Sequence, residues 1–76
     1  MKNGETQTKI ISYNRLWKLL IDKGMNKTDL KRVSSISTTS IAKMGKSENV
    51  TTDVILKICT ALDCGTDDIM DVVEKH

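Results

Sequence analysis

The chain has 76 residues, enough for one small domain with a single core and no separate catalytic subdomain. With one Trp, one Tyr, no Phe and no Pro, its core must come from Ile, Leu, Val and Met, and an all-α fold is expected. The net charge of +2 is unevenly placed: residues 1–50 carry ten Lys/Arg against four Asp/Glu, and residues 51–76 carry two against six. A basic front of this kind suits a polyanion, with a second, acidic face left for something else.

Residues 1–8 are polar and without periodicity, so they read as a flexible arm preceding a domain at 9–76. The segment Lys9–Ser12 is short and apolar, either a strand or a lead into the first helix. The first helix follows, with Tyr13, Leu16, Trp17, Leu20 and Ile21 at helical spacing. Ser12 is its expected N-cap and Gly24 its terminator.

Asn26 starts a second helix of about two turns, with Asp29 three residues on as a shortened capping box and Met25 placed to act as a hydrophobic staple. Leu30 and Val33 supply its buried face, and it ends near Ser34. Six of the seven residues from Ser34 to Ser40 carry a hydroxyl. This run is not a linker, because Ile41 and Met44 resume the helical spacing at once behind Ser37 as N-cap. The third helix is expected over Thr38–Lys46.

A loop leads to a cap at Thr51 or Thr52 and a fourth helix that buries Ile55, Ile58, Cys59 and Leu62. A fifth helix is expected in "TDDIMDVVEK", where Asp67 and Asp68 suit the positive end of a helix dipole.

Two short helices joined by a tight turn, the second polar on its outer side, form a helix-turn-helix. A helix lying in a major groove presents its first turn and the residues one turn later, which puts Thr38, Thr39, Ala42 and Lys43 on one outward patch. Threonine hydroxyls donate to or accept from any base, its methyl meets a thymine methyl, and Lys43 has the reach for guanine O6 and N7. Ala42 is small enough for close approach. Lys27, Lys31, Arg32 and Lys46 flank the patch, where they would neutralise phosphates, as would the open amides at the starts of the second and third helices.

The run "MNKTDLKRVSSISTTSIAKMGKSENVTTDVILKICTALDC" resembles the Cro and phage-repressor (XRE-like) helix-turn-helix domains, and the likeness extends over roughly residues 10–73. "YNRLWKLLIDKGMNKTDL" with "VILKICTALDCGTDDIMDVV" is similar to the small stand-alone bacterial regulators of that group. The resemblance implies a five-helix, lambda-repressor-like domain with its helix-turn-helix at the second and third helices. It implies that Leu30, Val33, Ile36 and Ile41 are the core of the two-helix unit, and that Ser37 caps the recognition helix.

The same likeness places Thr38, Thr39, Ala42 and Lys43 against base edges, and Lys27, Thr28, Ser40 and Lys46 near phosphates. Three positions depart from the group: Ser35 stands where Gly is usual, Gly45 where Glu is common, and Leu20 where its partner Arg would be. Without the buried cation, no carboxylate is needed. Gly45 also weakens or ends the third helix, by about 1 kcal/mol relative to Ala.

Cys59 and Cys64 with a single His at the terminus do not make a zinc site, and no cofactor or metal is expected. The acids Asp63, Asp67, Asp68 and Asp71 lack calcium-loop spacing and read as solvated helix-start residues. The chain lacks a base other than His76, a Gly-rich phosphate loop and a paired-carboxylate cleft, so it is not expected to be an enzyme. No apolar run reaches signal or membrane length, which fits a cytoplasmic protein.

The expected function is sequence-specific double-stranded DNA binding by a repressor, acting as a homodimer that is weak without DNA. Helix 5 or the N-terminal arm is its expected dimer contact, and no small-molecule ligand is expected. The alternative is a protein-interaction adaptor or antitoxin-like module on the same fold.

Overall fold

The apolar segment near the start of the chain is a strand, and its partner comes from the other end. The computed structural model describes residues 8–75. Strand β1 (Lys9–Ser12) pairs antiparallel with β2 (Asp71–Glu74), in the register Lys9 to Glu74, Ile10 to Val73, Ile11 to Val72 and Ser12 to Asp71. The Lys9 ammonium and the Glu74 carboxylate meet across the ribbon, and the Lys75 amide donates to the Thr8 carbonyl. Of the expected arm at residues 1–8, Thr8 alone is described, bonded to Lys75, and residues 1–7 lie outside the described residues.

Between the strands run α1 (Asn14–Asp22), α2 (Lys27–Ser34), α3 (Thr38–Gly45) and α4 (Thr52–Leu62), with one 3-10 turn at Thr66–Asp68. The described residues hold four α-helices, and the expected fifth is replaced by the 3-10 turn and β2. Asp63 ends α4 in the left-handed region, φ 53° and ψ 57°, and the chain then makes only one tight turn before Ile69, which is fully buried. Beyond it Val72 and Val73 lie opposite Ile11 and Ile10. Such cross-strand pairs of β-branched residues stabilise a ribbon and overrule a weak helical pattern.

The core is aliphatic, as the composition requires. Leu16, Leu30, Met44, Ile58 and Ile69 are fully buried, one each from the four helices and the segment after the 3-10 turn. Tyr13, Leu20, Ile36, Ile55 and Leu62 complete it, and Trp17, Met25, Ile41 and Cys59 pack half-buried against it. Two residues expected inside are outside: Ile21 is 75% exposed and Val33 is 43% exposed. On α1, the inward position beside Leu20 is taken by half-buried Leu19 instead.

Local capping follows the sequence closely. The Asn26 side chain accepts from the Asp29 amide at 2.8 Å and the Asp29 carboxylate accepts from the Asn26 amide at 3.0 Å, a reciprocal box. Gly24, at φ 69°, closes α1, with the Gly24 amide on the Ile21 carbonyl and the Met25 amide on that of Leu20. Thr51 caps α4. The N-cap of α1 is Tyr13 rather than Ser12, and the Ser12 hydroxyl instead accepts from the Asn14 amide at 3.3 Å. Among the described residues no helix is long and apolar enough to cross a membrane.

Candidate nucleic-acid interface

The α2–α3 unit is built by three consecutive residues. Ser35 takes the left-handed conformation, φ 59° and ψ 30°, and reverses the chain after α2. Ile36 is buried and anchors the turn in the core. Ser37 is extended, and its hydroxyl oxygen accepts from the Ser40 amide at 3.1 Å, which starts α3. Serine thus fills the turn position where glycine is usual, and the helix-turn-helix forms nonetheless.

Helix α3 turns Met44 fully inward and Ile41 partly so, which forces the intervening positions out. Thr38, Thr39, Ala42 and Lys43 are all exposed. The helix ends at Gly45, one residue short of the expected Lys46, which is its exposed C-cap. Ser40 differs from the rest: it is half-buried, and its hydroxyl accepts from that of Ser37 at 3.1 Å. Its first duty is to the cap, leaving its own proton to donate outward.

A shallow cleft of about 160 Å³ runs between α2 and α3, lined by Lys27, Thr28, Lys31, Thr38 and Ile41. The fold therefore gathers Lys27, Thr28 and Thr38, which the sequence assigned to phosphate and base contacts, at one place. Lys31, one helical turn beyond Lys27, belongs with them. Capping consumes the Asp29 and Leu30 amides on α2 and the Ser40 and Ile41 amides on α3. The two amides before each, those of Lys27 and Thr28 and of Thr38 and Thr39, are the open donors at the helix starts.

The flanking cations are not equivalent. Arg32 reaches the Asp29 carboxylate at 2.9 Å, so much of its charge is already answered. The Asn26 amide, and then Arg32, hold the Asp29 carboxyl below the usual range. Lys27 makes no ion pair among the described residues. Its ammonium sits over the Trp17 ring of α1, 4.7 Å from the ring centre, a cation–π contact. Sequence spacing gives no sign of that contact, because it joins two helices at an angle only the packing sets.

The loop after α3 is fastened from the opposite side. The buried Tyr13 hydroxyl donates to the Glu48 carbonyl at 3.1 Å, and Ser47 bends the loop with φ 58°. Burial pushes the Tyr13 phenol above its ordinary range, partly offset by the Val50 backbone. Burial likewise raises the Cys64 thiol, with Cys59 and Asp68 adding to it. Both cysteines are free thiols, and among the described residues no three His, Cys, Asp or Glu side chains are grouped to hold a metal ion.

The Cro/C1-type HTH DNA-binding domain family matches residues 15–75. The crystal structure of the transcriptional regulator VanUg (form II) is similar throughout: 41% identical in sequence, with a TM-score of 0.89, covering 99% of this chain and 100% of that one. No curated protein matches the chain. A match over all four helices, together with an α2–α3 unit that carries its polar side outward, is enough: the chain belongs to the Cro/C1-type helix-turn-helix DNA-binding domain family.

Proposed function

We propose that this protein is a sequence-specific double-stranded DNA-binding repressor that places α3 in the major groove. The observation that carries the reading is the exposed set Thr38, Thr39, Ala42 and Lys43, lying beside a cleft whose wall includes Lys27, Thr28 and Lys31. Base edges meet the first set. Phosphates meet Lys27, Thr28, Lys31, Ser40 and Lys46, and the open amides of α2 and α3. Occupying the groove at a promoter excludes other proteins from it, which makes repression the simplest consequence of binding.

One such module reads only a few base pairs, so the working unit is a dimer on a two-fold site. The β1–β2 ribbon suits that contact, since among the described residues the sheet has only these two strands and Val72 is 58% exposed.

Selection of bound sequences from a random duplex pool tests the reading. A symmetric motif with two chains per duplex in sedimentation is expected, and the Thr38→Ala/Thr39→Ala double substitution should change the preferred bases. An unchanged motif would show that α3 does not read the sequence.

A second reading rests on a different surface. Val33, Leu56 and Ala61 line an open groove of about 380 Å³ between α2 and α4, and Leu56 is 63% exposed. Such a groove suits an adaptor or antitoxin-like module that binds protein. Salt separates the two: DNA affinity should fall by orders of magnitude between low and moderate salt, whereas a protein contact through that groove should barely change.

A further inference from the structure

Helix α1 contributes no residue to the α2–α3 cleft, yet its Trp17 holds one of the cleft's cations. The ring is half-buried and packs against the core, which restricts it. Over it, at 4.7 Å from the centre, lies the Lys27 ammonium from the first residue of α2. On another side is Gly45, the last residue of α3, where an added Cβ would stand 3.9 Å from Nζ. That separation is ordinary van der Waals contact, so the ammonium lies against the end of α3. The end of α3 is also that helix's negative pole, which favours a cation there.

An exposed lysine ordinarily sweeps many rotamers and loses that freedom when it docks on a phosphate. Lys27 has given up part of it already, and no carboxylate among the described residues cancels its charge. We propose that Trp17 is a positioning residue for phosphate contact: its ring fixes the Lys27 ammonium between the start of α2 and the end of α3. The ammonium stays over the ring in the complex while its remaining N–H donors meet a phosphate. This rests on the DNA-binding reading above and adds to it a residue outside the helix-turn-helix.

A double-substitution cycle on a duplex of about 20 base pairs and arbitrary sequence tests the proposal, since phosphate contacts are sequence-independent. Lys27→Met should lower the slope of log affinity against log salt by about 0.9. Trp17→Leu should weaken binding about two- to five-fold and Trp17→Phe should nearly restore it, as expected of a cation–π contact. In the Lys27→Met background, Trp17→Leu should have no further effect. Equal losses in both backgrounds would mean Trp17 is merely structural, and tighter binding by Trp17→Leu would mean the ring sequesters Lys27; either overturns the proposal.

Trp17 is the sole tryptophan, so its emission reports on the contact even if Trp17→Leu does not fold. Lys27→Met should shift that emission in the free protein, and adding the duplex to the unaltered protein should not reproduce the shift. Emission that moves to the Lys27→Met value on binding would show that the lysine leaves the ring, and would sink the idea. Unaltered protein that binds no duplex at low salt overturns the DNA-binding reading itself, whereas additive substitutions overturn only the role of Trp17.

Discussion

Ser35 and Gly24 solve the same problem at the ends of neighbouring helices. Both take the left-handed conformation, at φ 59° and φ 69°, but only one has the residue type that does so freely. A residue with a Cβ gives up about 1–2 kcal/mol there. Replacing Ser35 with Gly relieves that strain, while the added freedom of the unfolded chain takes part of it back. We expect Ser35→Gly to stabilise the protein by about 0.5–1 kcal/mol, seen as a higher urea midpoint at unchanged slope. An unchanged or lower midpoint would mean that the Ser35 side chain makes up for its backbone.

Features decided within three or four residues were legible at this scale: the Asn26–Asp29 box, the Ser37 and Thr51 caps and the Gly24 terminator. The outward set on α3 was legible too, because Ile41 and Met44 leave the intervening positions no other side. Val33 was not. In an eight-residue helix, period alone cannot say which border position faces in, and the approach of α4 leaves Val33 on the rim of an open groove. The hold of Trp17 on Lys27 was equally invisible, since it depends on how α1 crosses α2.

Among the elements, α1 has a tie to the loop between α3 and α4 through the hydroxyl of Tyr13. That bond exists with the phenol protonated, and burial raises its folded pKa above the unfolded value. The stabilisation is therefore complete below the ordinary tyrosine range and is lost as pH climbs through it, above about pH 10. Tyr13→Phe should lower stability at neutral pH by about 0.5–1.5 kcal/mol, the net worth of one hydrogen bond. It should also flatten the alkaline limb of the urea midpoint against pH. An alkaline limb as steep as before would assign it to other groups.

The one element misjudged from the sequence is the last. Ile69, Met70, Val72 and Val73 satisfy a helical stripe and a strand equally well over so short a run. What decides is Ile10 and Ile11, whose pairing no local window contains.

For the molecule as a whole, the basic front and acidic back are not separate. Arg15 reaches across from α1, with one guanidinium nitrogen 3.6 Å from the Asp71 carboxylate and another 3.5 Å from the Asp67 carbonyl. With Lys9 on Glu74, two front cations are engaged by the back, and five of the other eight (Lys27, Lys31, Arg32, Lys43 and Lys46) lie on α2, on α3 or at its end.

The ribbon has a kinetic consequence. Lys9 and Glu74 stand 65 positions apart, so joining β1 to β2 closes nearly the whole chain into one loop. The helices meet partners closer in sequence, while the strands gain nothing until both ends of that loop have been brought together. The ribbon should zip last in folding and come apart first. In native-state hydrogen exchange, amides of β1 and β2 should open at a lower free energy than those of α1 and α4, as a distinct unit. Equal opening energies would mean instead that the chain's two ends and its helical body melt as one.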